Sequence, residues 1–313
     1  MKRQIINTIS ILLLIGCNNI DYKPKYKDFA NSLERENLIG KVKKLEQFKA
    51  NVTDIETSKT DKPIIEFKKE FTESGNISYK EQFDNFGTLE QYDRNTYDKN
   101  GFRIESISEN SVMPMKTEEK AVFDTIIKKQ ISAHAIFNDS IKFDAFFKYD
   151  ENGNLIESIS IENSDTTLDH IEYKYDDNKN ILVQKQIQKV DSDTYEYFNE
   201  FKYNKEGNIV ELSFKSDYAE IKTTYEYDKK NRLIKITESQ SGQIQKETTF
   251  DKFYNKTLVC FFENGTPNRK MKYEYKFDNK GNWIKSEVFV IENLETNKKV
   301  PIYTETREIE YYD

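Results

Sequence analysis

Catalysis and metal binding need particular side chains at particular spacings, and this chain offers few. Its histidines are His134 and His170, in separate stretches with no ligand spacing around either. A histidine-metal centre or a Ser-His-Asp triad would need one of them, and no Gly-x-Ser-x-Gly elbow occurs. Asp150-x-Asn152-x-Asn154 and Asp176-x-Asn178-x-Asn180 look like the start of a calcium loop. An EF-hand loop wants Gly sixth and Glu twelfth. Here Gly153 is fourth in one copy, and Ile161 and Ile187 hold the twelfth places. Neither a metal nor a cofactor is expected. Cys260 sits in the apolar run 258–262 and reads as a buried, inert thiol rather than a nucleophile. With 33% charged residues, carboxylate pairs arise by chance too often to mark a glycosidase. Trp283 is the remaining candidate, an aromatic that could stack on a sugar ring. Leu155, Ile181, Ile209 and Leu233 fill the same place elsewhere, so an enlarged core residue is the simpler reading. These residues predict a protein that is not an enzyme.

The elements that carry these residues repeat. FTESGNI begins at Phe71, FDNFGTL at Phe83, YDKNGFR at Tyr97 and YDENGNL at Tyr149. YDDNKNI follows at Tyr175, YNKEGNI at Tyr203, YDKKNRL at Tyr227 and FDNKGNW at Phe277, with a worn copy, FDKFYNK, at Phe250. The fifth place holds Gly75, Gly87, Gly101, Gly153, Gly207 and Gly281, six of the ten glycines. Asn231 fills it once and Lys179 once. A type I turn followed by a residue of positive φ has this requirement, and Gly meets it without a Cβ penalty. The leading Asp can accept a bond from the backbone two residues on. The flanks alternate apolar and polar, as at Ile141, Phe143, Ala145, Phe147 and Tyr149, which is the period of a strand. From Tyr149 the anchors recur every 23 to 28 residues, one hairpin per repeat with a tight turn at one end and a looser one at the other. Before that they lie near half a period apart, so tight turns there serve both edges.

The unit resembles the YD repeat of the RHS family, roughly Tyr-x-Tyr-Asp-x-x-Gly-Asn/Arg-Leu. Residues 147–156, 173–182, 201–210, 225–234 and 275–284 match best, within a span of 66–313. The resemblance implies a long antiparallel β meander. It implies no toxin, because the chain is short and lacks the toxin domain and processing core of the large members. The fold class expected is therefore all-β, a meander of repeated hairpins curled into a barrel-like shell or two packed layers. Aromatics make up 13% of the chain, and their face must leave water. No long amphipathic helix is available to cover it, so the sheet must wrap onto itself. A first strand is expected over 38–48 and strands rather than a helix within the irregular stretch 108–130, with Met113-Pro114-Met115 as loop.

The N-terminus reads as a targeting segment. Lys2 and Arg3 precede an apolar run, residues 5–15, too short to span a bilayer, which takes about 20 residues. The junction Leu14-Ile15-Gly16-Cys17 resembles a bacterial lipobox. That resemblance implies cleavage after residue 16 and lipidation of Cys17. The expected organisation is a signal peptide over 1–16, a lipidated tether over 17–36 and a β domain over 37–313. Lipidation of Cys17 leaves Cys260 without a disulfide partner. The chain has 48 basic and 55 acidic side chains, and loss of Lys2 and Arg3 moves the net charge from −7 to −9. Such a surface argues against nucleic acid as a partner and against a polybasic grip on anionic lipid. Asn18 rather than Asp follows the cysteine, which by analogy with sorting in some bacteria points to the outer membrane. The expected function is a non-catalytic, membrane-anchored lipoprotein of the cell envelope that offers a β surface for binding or assembly. A carbohydrate-binding module is the first alternative, with a glycan or an envelope protein as partner. A hydrolase using a carboxylate pair is the second.

Overall fold

A computed structural model describes residues 32–313 apart from 113–114, 125, 163–164, 191, 217 and 294–297. The expected signal peptide, Cys17 and most of the expected tether lie outside the described residues. After a one-turn helix, α1 (Ser32–Arg35), every regular element is a strand. They are β1 (Val42–Asp54), β2 (Lys59–Thr60), β3 (Ile64–Phe71), β4 (Ile77–Phe83), β5 (Leu89–Tyr97), β6 (Arg103–Asn110) and β7 (Met115–Asp124). Next come β8 (Lys129–Phe137), β9 (Ile141–Tyr149), β10 (Leu155–Glu162), β11 (Asp165–Tyr175), β12 (Ile181–Val190), β13 (Asp193–Tyr203) and β14 (Ile209–Lys215). The chain ends with β15 (Glu220–Tyr227), β16 (Leu233–Gln240), β17 (Gln243–Phe250), β18 (Lys256–Glu263), β19 (Thr266–Phe277), β20 (Trp283–Asn293) and β21 (Lys298–Tyr311).

Each strand from β3 to β21 pairs antiparallel with the next, and β1 closes the ring. On one side Leu45 faces Lys69 and Gln47 faces Phe67 of β3. On the other, Leu45 faces Ile309, Gln47 faces Arg307 and Lys49 faces Glu305 of β21. The short β2 pairs only with the tip of β1. The result is a closed 20-strand meander barrel with no free sheet edge. Of the two wrapped forms expected, this is the barrel.

Register assigns the two faces. The row Ala133, Ala145, Ser160 and Thr167 runs laterally across β8 to β11 and points inward, with Ala133, Ala145 and Thr167 buried. The adjacent row Lys120, His134, Asp144, Ile161 and Thr166 points outward. The predicted alternations fall on the inner face, including Phe143, Phe147, Tyr195, Tyr197 and Phe201. The outer wall is ionic. Glu211 takes Lys202 at 2.8 Å and Lys222 at 2.7 Å across strands, Lys235 meets Glu247 at 2.6 Å, and Lys185 meets Glu196 at 2.9 Å. A membrane-spanning barrel turns an apolar band outward. This wall faces water.

The tight turns share one geometry. At 150–154 the Asp150 amide donates to the Asn154 carbonyl at 2.8 Å, and the Gly153 amide to the Asp150 carbonyl at 3.0 Å. Gly153 then needs its φ of +80°, and a one-residue shift in pairing follows at Leu155/Glu157. Gly75, Gly87, Gly101, Gly207, Asn231 and Gly281 sit equivalently at positive φ, as do Lys179 and Tyr254. All of these turns but 84–87 follow odd-numbered strands and so gather at one rim, here the near rim. The first strand begins at Val42 rather than at residue 38, because Gly40 turns the chain at φ +86°. Within 108–130 the regular structure is strand and not helix, as expected, with β7 ending at Asp124 and β8 beginning at Lys129, while Met113-Pro114 lies outside the described residues and Met115 opens β7 rather than lying in a loop.

Candidate functional site: the barrel lumen

The near mouth is crossed by the chain that enters the barrel. The Leu33 amide donates to the Gly75 carbonyl at 3.0 Å, and Ser32 Oγ accepts from the Ile77 amide at 3.1 Å. Asn37 Nδ2 bonds the Phe253 carbonyl on a non-adjacent turn, and the Ile39 amide donates to Asn282 Oδ1 at 2.7 Å. Leu33 and Leu38 pack with Val42, Leu45 and Phe71 in one buried cluster. Within the expected tether, residues 32–36 are thus docked on the barrel.

Tyrosine clasps bind the near-rim hairpins to one another. Tyr97 donates to the Ile77 carbonyl at 2.7 Å, Tyr173 to Leu155 at 2.8 Å, Tyr203 to Ile181 at 2.8 Å and Tyr227 to Ile209 at 2.6 Å. Each acceptor begins the strand after the previous tight turn. An aromatic with a polar tip suits a half-buried seam of this kind. Burial pushes the Tyr227 hydroxyl up to about 12, so it stays a donor.

Three polar groups line the wall. In the first, Gln91 Nε2 donates to Asp93 Oδ1 at 2.9 Å and to Ser108 Oγ at 3.2 Å. Lys80 lies 3.9 Å from Asp93, and these two inward side chains remain 32% and 22% exposed. Water therefore reaches the inner wall, in keeping with the rule that barrels of roughly 16 strands or more leave an aqueous channel. In the second, Asp169 accepts from Gln186 at 2.9 Å, Gln188 at 3.1 Å and Ser158 at 3.1 Å. Beside it Asn199 donates to Gln184 at 3.3 Å, and Tyr197 stacks on Phe214 at 6.2 Å.

The third group lies below the near mouth. Arg307 Nε donates to Gln47 Oε1 at 2.9 Å, and Gln47 Nε2 to Glu66 Oε2 at 2.8 Å. Lys69 pairs with Glu36 at 2.7 Å. Burial, then the charge of Glu66, pushes the Glu305 carboxyl up, while Arg307 and Lys49 pull it back. Burial draws Arg307 down to about 10, which still leaves it a cation at neutral pH. Its guanidinium covers the ring of Trp283 at 3.6 Å.

Trp283 therefore fills the repeat's leucine slot, pairing with Phe277 as Leu233 pairs with Tyr227, and one of its faces is already occupied. The turn glycines hold the rims and bring no reactive groups together. Asp150 Oδ1 is taken by the amides of Asn152 at 2.9 Å and Asn154 at 2.8 Å, the arrangement of a turn. Burial alone would raise its carboxyl, but bonds from Tyr175, Asn154 and Asn152 outweigh it and hold it low. His134 Nδ1 lies 2.7 Å from Asp144 on the outer wall, and His170 Nε2 3.7 Å from Glu172. Among the described residues no cluster of His, Cys, Asp and Glu is arranged to hold a metal. Cys260 is buried, and burial raises its thiol. Arg307, Glu305 and Glu66 carry no motif. The signal was the alternation Tyr303, Glu305, Arg307, Ile309, a period of two with ions on the inward side.

No family model matches the chain, and no curated protein does. Among solved structures, a porin-like protein from Bacteroides uniformis is similar at TM-score 0.35 and 12% identity, over 86% of this chain and 98% of that one. The TcdB2-TccC3-Cdc42 structure is similar at TM-score 0.29 and 11% identity, over 77% of this chain. There the match takes in 17% of the other chain. Likenesses of this order assign neither family nor activity.

Proposed function

We propose that the protein is a lipid-anchored, non-catalytic binding protein of the bacterial envelope, and that its ligand occupies the barrel lumen. The observation that carries this reading is the contrast between the walls. Cross-strand ion pairs cover the outside, whereas amides, hydroxyls and rings join a smaller set of ions to line an interior that water still reaches. Binding sites join apolar and aromatic surface to a few placed polar groups, and the wall around Gln186, Tyr197 and Asn199 has that character. The same mixture of amides and rings favours a glycan over a peptide as ligand. The lipobox-like junction at Cys17 supports the anchor.

A glycan array probed with the mature chain carrying Cys17→Ser tests the lumen. Tyr197→Leu and Gln186→Leu should abolish the signal, while Lys185→Gln on the outer wall should leave it unchanged. Equal binding by all three would put the ligand elsewhere. For the anchor, cells fed labelled palmitate should mark the parent and not Cys17→Ser. Absence of label on the parent would remove the anchor from the reading.

A further inference from the structure

We propose that the outer wall over β7 to β11 is the contact surface of a symmetric dimer, with a second copy of this chain docked across a two-fold axis that lies along β8. The first observation is a row of side chains. Register sets Val122, Ser132, Phe146, Ile159 and Leu168 side by side across these five strands, in the same outward phase as Lys120 and Asp144. Val122 is 54% and Phe146 49% exposed, and the exposed Ile126 and Ile127 continue the apolar surface past the end of β7. Apart from Ile131 on β8 beside them, every other exposed large apolar side chain among the described residues stands in a connection or at the first, second or last place of a strand. Large apolar side chains exposed together in mid-strand mark a surface that another molecule covers.

The second observation is the charge around this row. The rows on either side hold Lys120, Lys129 and Lys148 against Asp124, Asp144 and Glu157, so neither sign is in excess. The chain as a whole carries −7. Two copies therefore repel over most of their surface, and they meet at least cost where the charge is balanced. A strongly charged partner would find no sign to read at this patch.

The third observation is that the signs match a copy of themselves. His134 on β8 faces Lys120 of β7 on one side and Asp144 of β9 on the other. A two-fold axis along β8 sets β7 over the β9 of the second copy. Val122 then meets the partner's Phe146, and Lys120 meets the partner's Asp144, each contact made twice as an isologous interface requires. Both ions can reach across. Lys120 is 72% exposed, with Glu105 only at 3.9 Å, and Asp144 stays 44% exposed beside His134. A strip five strands wide and nine residues long, the length of β8 and β9, measures about 19 by 30 Å. That is the low end for a specific interface, so the dimer forms reversibly at micromolar concentrations.

Sedimentation velocity of the mature chain carrying Cys17→Ser, run over a concentration series, tests this and needs neither lipid nor ligand. The parent should pass from monomer to dimer as concentration rises. Lys120→Asp and Asp144→Lys should each weaken the dimer about tenfold, since each sets like charges together twice. Lys120→Asp/Asp144→Lys in one chain should restore it, because the swap exchanges both signs. Phe146→Ser should abolish the dimer with circular dichroism unchanged. Phe86→Ser on the far rim and Lys235→Gln on β16 should leave it as it is. The proposal is overturned if the parent stays monomeric throughout, if the double swap associates no better than either single variant, or if the dimer survives Phe146→Ser. A dimer lost on Phe86→Ser instead would put the contact at the far rim and overturn it equally.

Discussion

The two rims are made by the same hairpins but held in different ways. At the near rim each turn has its own acceptor side chain, and tyrosine hydroxyls tie one hairpin to the next. At the far rim Ser241-Gly242 and Asn264-Gly265 make two-residue turns with both residues at positive φ, the geometry that follows strand twist. Side-chain bonds there change from turn to turn, as with Ser111 Oγ on the Leu89 carbonyl and Lys116 N on Asn138 Oδ1. Apart from the turn at 84–87, the repeat signature is thus the description of one rim. It records where neighbouring hairpins must be locked together, and it is silent where each hairpin closes on its own.

The largest test of this contrast is Arg307→Leu, below the near mouth. The substitution leaves Glu305 and Glu66 facing each other without the guanidinium, and it uncovers Trp283. Breaking one partner of a buried charge set costs about 3–5 kcal/mol, which urea unfolding would read. A loss under about 1 kcal/mol would mean that the polar cluster does not brace this rim. Next in size is Gly153→Val. Valine at φ +80° is strained wherever it stands, and its Cβ would meet Lys129 Cε at 3.4 Å. The expected loss is about 1–3 kcal/mol, and a melt identical to the parent's would show that the turn can rearrange.

The features legible in the sequence were those repeated by the rim. Asp, Gly and the alternating aromatics named the tight turns, the strands and the inner face, because each has a local cause. Closure was not legible. It depends on β1 meeting both β3 and β21, and the inward positions of β21 include Glu305 and Arg307, which by side-chain type belong outside. Residues 32–36 were read as tether because Ser, Glu and Arg surround a single buried leucine, Leu33. Its burial depends on Val42, Leu45 and Phe71, residues distant in sequence. The lumen groups were missed for a related reason. Gln, Asn and Ser on an inner strand face look like solvent-facing residues unless the face encloses water.

Tyr203→Phe probes a single clasp. It removes the bond to the Ile181 carbonyl and leaves the ring in place. A lost hydrogen bond of this sort lowers stability by about 1 kcal/mol. Hydrogen exchange should then rise at the β12–β13 seam near the turn 204–208, with the far-rim ends of the same strands unchanged. Uniform loosening from rim to rim would show that the clasps are not what distinguishes the two.

The smallest effect is the most specific, since it depends on one proton. Bonds from the Arg232 side chain, then from its amide, hold the Asp228 carboxyl at about 2 instead of 3.8. A folded-state value below the unfolded one contributes stability that is complete above the unfolded value and fades as pH falls towards the folded one. Its window is therefore between about 3.8 and about 2, with nothing changing from pH 7 to 5. Asn204 does the same capping without a titrating group, its Oδ1 accepting from the amides of Glu206 at 3.1 Å and Asn208 at 2.9 Å. Asp228→Asn should accordingly fold like the parent at neutral pH and show a shallower acid limb in a circular dichroism titration. The equivalent carboxyls of Asp98, Asp150, Asp176 and Asp278 are also held low, as is that of Asp84 at the far rim, so the turn carboxylates share the parent's acid limb with paired wall glutamates such as Glu211. If parent and variant lost structure along the same curve, the carboxylate at 228 would be a spectator and the near rim would owe its order to backbone geometry and tyrosine alone.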